Sequence, residues 1–113
     1  MHEYGIVQSL LQSVEEESSR RGATAVHRIR LRLGELAGVE TDLLREAYNA
    51  FRARSVCAHA ELDIVNAQAR WECGRCGLEV PRGSRLWCTE CDAPASLVTG
   101  DEIVLERIEM EVA

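Results

Sequence analysis

Apolar and polar positions alternate in two rhythms along this chain. Over residues 4–20, Ile6, Val7, Leu10, Leu11 and Val14 form one stripe at helical spacing, with Gln8, Gln12, Glu15 and Glu16 opposite. The pattern predicts an amphipathic helix stopped by Gly22, with Arg20 and Arg21 well placed for its C-terminal dipole. From Val26 to Leu33 the period becomes two. His27, Ile29, Leu31 and Leu33 then share an inward face, and Arg28, Arg30 and Arg32 a wet one, paired with acidic residues of a neighbouring strand.

Residues 34–38 read as a loop. Thr41 is the expected cap of a second helix running to about Arg54, with Leu43, Leu44, Ala47, Tyr48 and Phe51 inward. Residues 60–66 form a second strand, with Leu62 and Ile64 in and Glu61 and Asp63 out. Residues 102–112 form a last one, with Ile108, Met110 and Val112 in and a phase slip near 103–105 that marks a bulge or a doubly buried stretch. The expected fold is α+β: a small three-stranded sheet with two helices on one face, plus an inserted zinc-ribbon module. Residues 1–66, completed by 101–113 as the last strand, make the first domain. Residues 67–100 make the second, with hinges near 66–69 and 98–100.

The insert carries the most specific chemistry. Cys73-Gly-Arg-Cys76 and Cys88-Thr-Glu-Cys91 are two C-x-x-C pairs, a spacing that aims four thiolates at one tetrahedral ion. Gly74 and Gly77 are expected to supply the backbone angles of the first knuckle, and Asp92 those of the second. The stretch between the pairs reads as a hairpin. Two disulfides would need an oxidising compartment, and a redox C-x-x-C would come singly near a βαβ unit. A closed four-cysteine zinc site is structural, so it explains folding and leaves the function to be found elsewhere. Cys57 reads as a small buried apolar residue.

Charge narrows the partners. The 113-residue chain has a net charge of -6 with its cysteines neutral. Zinc on four thiolates adds about -2, taking the holo chain to about -8. Such a chain does not suit non-specific nucleic-acid binding and favours a basic or metal-bearing partner. No signal-peptide pattern or bilayer-length apolar run is visible, so no membrane role is expected and the cytoplasm is the default. No nucleophile with a placed base, phosphate loop or paired-carboxylate motif appears, which argues against an enzyme.

Of three histidines, His2, His27 and His59, the first stands out. A methionine before a bulky residue is expected to be retained. The terminal amine, the His2 amide nitrogen and the His2 imidazole can then close fused chelate rings around a square-planar Ni(II) or Cu(II). Glu3, or a residue on the loop 35–42, could supply a fourth donor. An untethered terminus is the plainer alternative. His27, at a strand start, reads as a hydrogen-bonded core-edge residue.

The opening Met1-His2-Glu3-Tyr4, the helix after it, Leu33-Gly34-Glu35-Leu36 and the paired C-x-x-C ribbon before an acidic-apolar strand together resemble the HypA/HybF family. These are nickel-delivery proteins for nickel-iron hydrogenase maturation, serving urease in some organisms. The resemblance spans the chain. It implies nickel at Met1, His2 and Glu3, with His2 indispensable and Glu40, or its neighbour Asp42, approaching the metal. It assigns zinc to Cys73, Cys76, Cys88 and Cys91. Some relatives carry histidines beside these cysteines; this chain has none there. The implied partners are a HypB-type GTPase and the nickel-iron hydrogenase large subunit, with the chain a monomer or weak homodimer. The rival reading is an acidic zinc-ribbon adaptor in transcription or RNA machinery, which gives His2 no role.

Overall fold

The structure is a computed structural model and describes residues 2–113. Helix α1 runs His2–Arg20 and leads into β1, Ala23–Gly34. Helix α2, Thr41–Phe51, is extended by a 3-10 turn, Arg52–Arg54, and leads to β2, Glu61–Ala67. Four short strands follow: β3 (Arg70–Cys73), β4 (Glu79–Val80), β5 (Trp87–Cys88) and β6 (Ala93–Thr99). Strand β7, Ile103–Val112, closes the chain.

The first sheet has the order β2-β1-β7. β1 is central because it is the longest strand and carries the apolar row Val26, Ile29, Leu31 and Leu33, all buried. It pairs in parallel with β2, which α2 makes possible by returning the chain across the sheet, and antiparallel with β7. Val7, Leu10 and Val14 of α1 and Leu44, Ala47 and Tyr48 of α2 close the core over one face. The other face is wet, and its arginines find the expected acids: Arg28 pairs with Glu61 at 2.8 Å and Arg30 with Asp63 at 3.1 Å. Arg32 reaches Glu106 at 3.7 Å. At the start of β2, Arg45 donates to the Leu62 carbonyl, and Arg52 and Tyr48 to that of Ala60 just before the strand. Among the described residues no helix is long and apolar enough to cross a membrane.

Several expectations need correction. His27 is exposed rather than inward. Val26 faces Met110 and Arg28 faces Glu109, so His27 is the extra residue of a β-bulge and the inward row starts at Val26. His27 instead meets Glu111 at 2.8 Å. The slip expected near 103–105 is a second bulge, at Glu106, between the pairs Arg30–Arg107 and Leu31–Leu105. Val112 is exposed. In α2, Leu43 and Phe51 are exposed, because a helix lying flat on a sheet buries a narrower arc than the apolar positions span. Phe51 packs edge-on against Tyr4 of α1, with centroids 5.3 Å apart. The cap of α2 is Glu40, without a side-chain cap bond, while the Thr41 hydroxyl turns to Asn66.

The second sheet has the order β4-β3-β6-β5. β4 pairs with β3 and β5 with β6, so each hairpin folds around its own C-x-x-C knuckle. The expected hairpin between the cysteine pairs is absent among the described residues, because the knuckles themselves reverse the chain. Along the chain, residues 68–69 and 100–102 connect the two sheets. The joint is tight: a Cβ on Gly34 would overlap the Gly100 carbonyl, and Leu36 N–H donates to that carbonyl at 2.7 Å.

Candidate metal centres

The four cysteines converge. Their sulfurs all lie within 4.8 Å of one another, and those of Cys76 and Cys88 are 3.9 Å apart. A tetrahedron with metal–sulfur bonds of about 2.3 Å has sulfurs about 3.8 Å apart, so the donor set fits one zinc-sized, thiophilic ion. The backbone prepares the site. N–H groups of Arg75 and Cys76 point at the Cys73 sulfur, 3.3 and 3.5 Å away. These amides, that of Cys76 foremost, lower the Cys73 thiol to about 6. The side chains of Cys76 and then Cys73 push Cys91 up to about 12, because packed thiols resist ionising together. A cation removes that conflict by taking all four as thiolates.

Gly77 and Asp92 hold the positive φ expected of them, 73° and 50°. Gly74 does not, and a Cβ there would meet only the Ser96 hydroxyl, at 3.4 Å, so neither backbone angle nor space demands a glycine at that position. The Trp87 indole donates to Asp92 at 3.1 Å and pins the second knuckle. Cys73 and Cys88 are buried and Cys76 exposed. Cys57 is fully buried, lies in the main core, and has its thiol pushed up by burial.

The second candidate lies at the start of α1. Met1 lies outside the described residues. The helix begins at His2, earlier than the periodicity implied, so His2 and Glu3 are held in its first turn. The His2 ring is exposed, and its Nε2 lies 2.8 Å from the Gly38 carbonyl oxygen and 3.8 Å from Glu3 Oε2. The Glu3 side chain is buried, and its Oε2 accepts the Glu40 N–H at 3.4 Å. Glu3 therefore ties α1 to the start of α2 with its carboxylate. The loop before α2 does approach His2, as expected. It does so with the Gly38 carbonyl, while the Glu40 N–H meets Glu3 and the residues Glu40 and Asp42 are exposed. The first N–H groups of a helix have no intrahelical acceptor, so withdrawing the His2 amide proton breaks no helical hydrogen bond.

The sequence reading missed two contributors here. One is the Gly38 carbonyl, for which the only sequence signal is a glycine in the loop facing the terminus. The other is Glu35, whose carboxylate accepts from Arg82 and from the Ala69 N–H, binding the same loop to the ribbon. The Arg82 guanidinium, then the Ala69 amide, hold the Glu35 carboxyl below the usual range. That pair bridges 47 positions and leaves no periodic trace.

The model of a family described as "Hydrogenase/urease nickel incorporation, metallochaperone, hypA" matches residues 1–110. The hydrogenase maturation factor HypA of Wolinella succinogenes is 40% identical, over 98% of this chain and 96% of its own. That of Shewanella halifaxensis is 33% identical over the full length of both. A solution structure of the nickel metallochaperone HypA from Helicobacter pylori superposes with a TM-score of 0.78 at 30% identity, covering 100% of each chain. Another HypA solution structure gives 0.82 at 30% identity, covering 100% of this chain and 98% of the other. Family, relatives and fold agree over the whole length: this chain belongs to the HypA family of nickel-incorporation metallochaperones, maturation factors rather than enzymes.

Proposed function

We propose that this protein binds Ni(II) at its amino terminus and hands it to the immature large subunit of a nickel-iron hydrogenase, with urease as a second client. The nickel donors are the Met1 amine, the His2 amide nitrogen and the His2 imidazole. Glu3 tunes the site from the next position in the first turn, its carboxylate being engaged with Glu40. Glu40 stands beside the site as an acid that can approach an incoming ion. The observation that carries this reading is the position of His2, an exposed imidazole in the first turn of a helix, where its own amide is free of intrahelical bonding.

Transfer follows from the same chemistry. A partner can reach a terminal site and take the ion by ligand exchange. Amide deprotonation makes capture pH-dependent, so acid releases nickel. Raw affinity favours copper over nickel on such donors, so selectivity comes from supply and docking. A HypB-type GTPase is the proposed partner in that exchange, in the cytoplasm. Cys73, Cys76, Cys88 and Cys91 hold a structural zinc that folds residues 67–100 into a rigid docking surface. Residues 1–66 and 101–113 form the nickel-binding domain.

The test is maturation in a nickel-limited cell lacking its own copy of the gene. His2→Ala is expected to leave hydrogenase unprocessed while the protein accumulates with its zinc, and excess nickel to restore activity in part. Full activity of His2→Ala at limiting nickel would contradict the reading.

A further inference from the structure

His2 is aimed by its surroundings. Its Nε2 lies 2.8 Å from the carbonyl oxygen of Gly38. A carbonyl only accepts, so Nε2 carries the ring proton and, in the neutral imidazole, Nδ1 keeps its lone pair. Nδ1 is the nitrogen that can close a six-membered ring with the His2 amide nitrogen and a shared ion; Nε2 lies too far round the imidazole to do so. The contact therefore leaves free the nitrogen that chelation needs. Metal-ligating histidines commonly hold their second nitrogen in this way.

The acceptor is itself fixed. Its loop is tied down by Leu36 N–H on the Gly100 carbonyl at 2.7 Å, Ala37 N–H on the Gly34 carbonyl at 3.0 Å, and Glu40 N–H on Glu3 at 3.4 Å. Gly38 sits at φ 74°, and a Cβ added there would meet nothing within 4 Å. Space does not demand a glycine at this position. The left-handed backbone does, and that backbone sets the direction of the carbonyl.

We propose that Gly38 is a positioning residue for nickel capture: its left-handed turn presents a carbonyl to the Nε2–H of His2 and holds the imidazole with Nδ1 free before the ion arrives. The proposal rests on the reading that His2 holds nickel.

The experiment uses full-length, zinc-loaded protein with a native amino terminus and 15N-labelled histidine. Two-bond proton–nitrogen spectra of the nickel-free protein report the His2 tautomer. Competition titration with Ni(II) reports affinity. Wild type is expected to show one tautomer, protonated at Nε2. In Gly38→Val, whose β-branched side chain opposes positive φ, that signature is expected to average and nickel affinity to fall about tenfold. Gly38→Asn, which tolerates the left-handed region, is expected to restore both. Gly22→Val alters another positive-φ glycine at the far end of α1 and is expected to move neither.

A wild-type-like ring spectrum and affinity in Gly38→Val would overturn the proposal. So would an equal loss in Gly22→Val, or no rescue by Gly38→Asn. His2→Ala separates the two readings. If it binds nickel undiminished, the assignment of His2 fails and takes the proposal with it. If it loses nickel while Gly38→Val does not, only the proposal fails.

Discussion

A cysteine in the ribbon and a histidine at the terminus do different work because their surroundings differ. Cys91 is one of four sulfurs crowded within 4.8 Å, a cluster that only a cation makes comfortable. Cys91→Ser is therefore expected to release zinc and unfold the second sheet, since structural zinc supplies folding energy in a module this small. Metal analysis should show less than one zinc per chain, and amide spectra should lose dispersion for residues 70–99 while the α1 and β1 signals persist. A fully folded ribbon without metal would contradict this. His2 and Glu3 divide their labour more finely than the sequence implied. The Met-His-Glu start made the terminus a candidate from residues alone. That the Glu3 carboxylate would be buried against Glu40 N–H was not legible, because it depends on a loop folding back from 37 positions away.

Elements show why some readings succeeded. The period-two pattern of β1 located the strand and its arginine face, and the ion pairs with Glu61 and Asp63 followed from it. The same pattern misplaced His27, because a bulge resets the phase and a single-strand periodicity carries no information about its partner. The knuckles were legible from spacing, whereas the pairing of β4 with β3 and of β5 with β6 was not, since two-residue strands are too short to show a period. The joint between the sheets yields a prediction at this scale. Gly34→Ala puts a methyl onto the Gly100 backbone carbonyl, which cannot rotate away as a side chain would. Destabilisation of about 1–3 kcal/mol is expected, read as a lower thermal midpoint of the zinc-loaded protein. Gly5→Ala, with nothing within 4 Å of the added carbon and a helical position, serves as the tolerant control. Equal midpoints in both variants would mean that the joint accommodates the methyl.

The whole molecule is elongated, 56 × 30 × 17 Å, with the candidate nickel site on the sheet of α1 and the cysteine cluster on the other. Parallel pairing of β1 with β2 was the main topological feature beyond sequence reasoning, because strand direction follows from the α2 return rather than from any strand's own pattern. The loop between β1 and α2 touches both halves of the molecule, through Gly38 at His2 and through Glu35 at Arg82. The family assignment rests on the full length of the chain. The proposed nickel site lies at the amino terminus.

Calorimetric titration of Ni(II) into zinc-loaded protein with a native Met1, run beside the same protein carrying two extra residues before Met1, tests whether the amino terminus holds nickel. The account predicts a nickel site in the native chain that the extension abolishes, with the zinc content of both proteins unchanged, because the extension turns the terminal amine into an amide. Equal nickel binding by the two proteins would remove the amino terminus from the site and contradict the account.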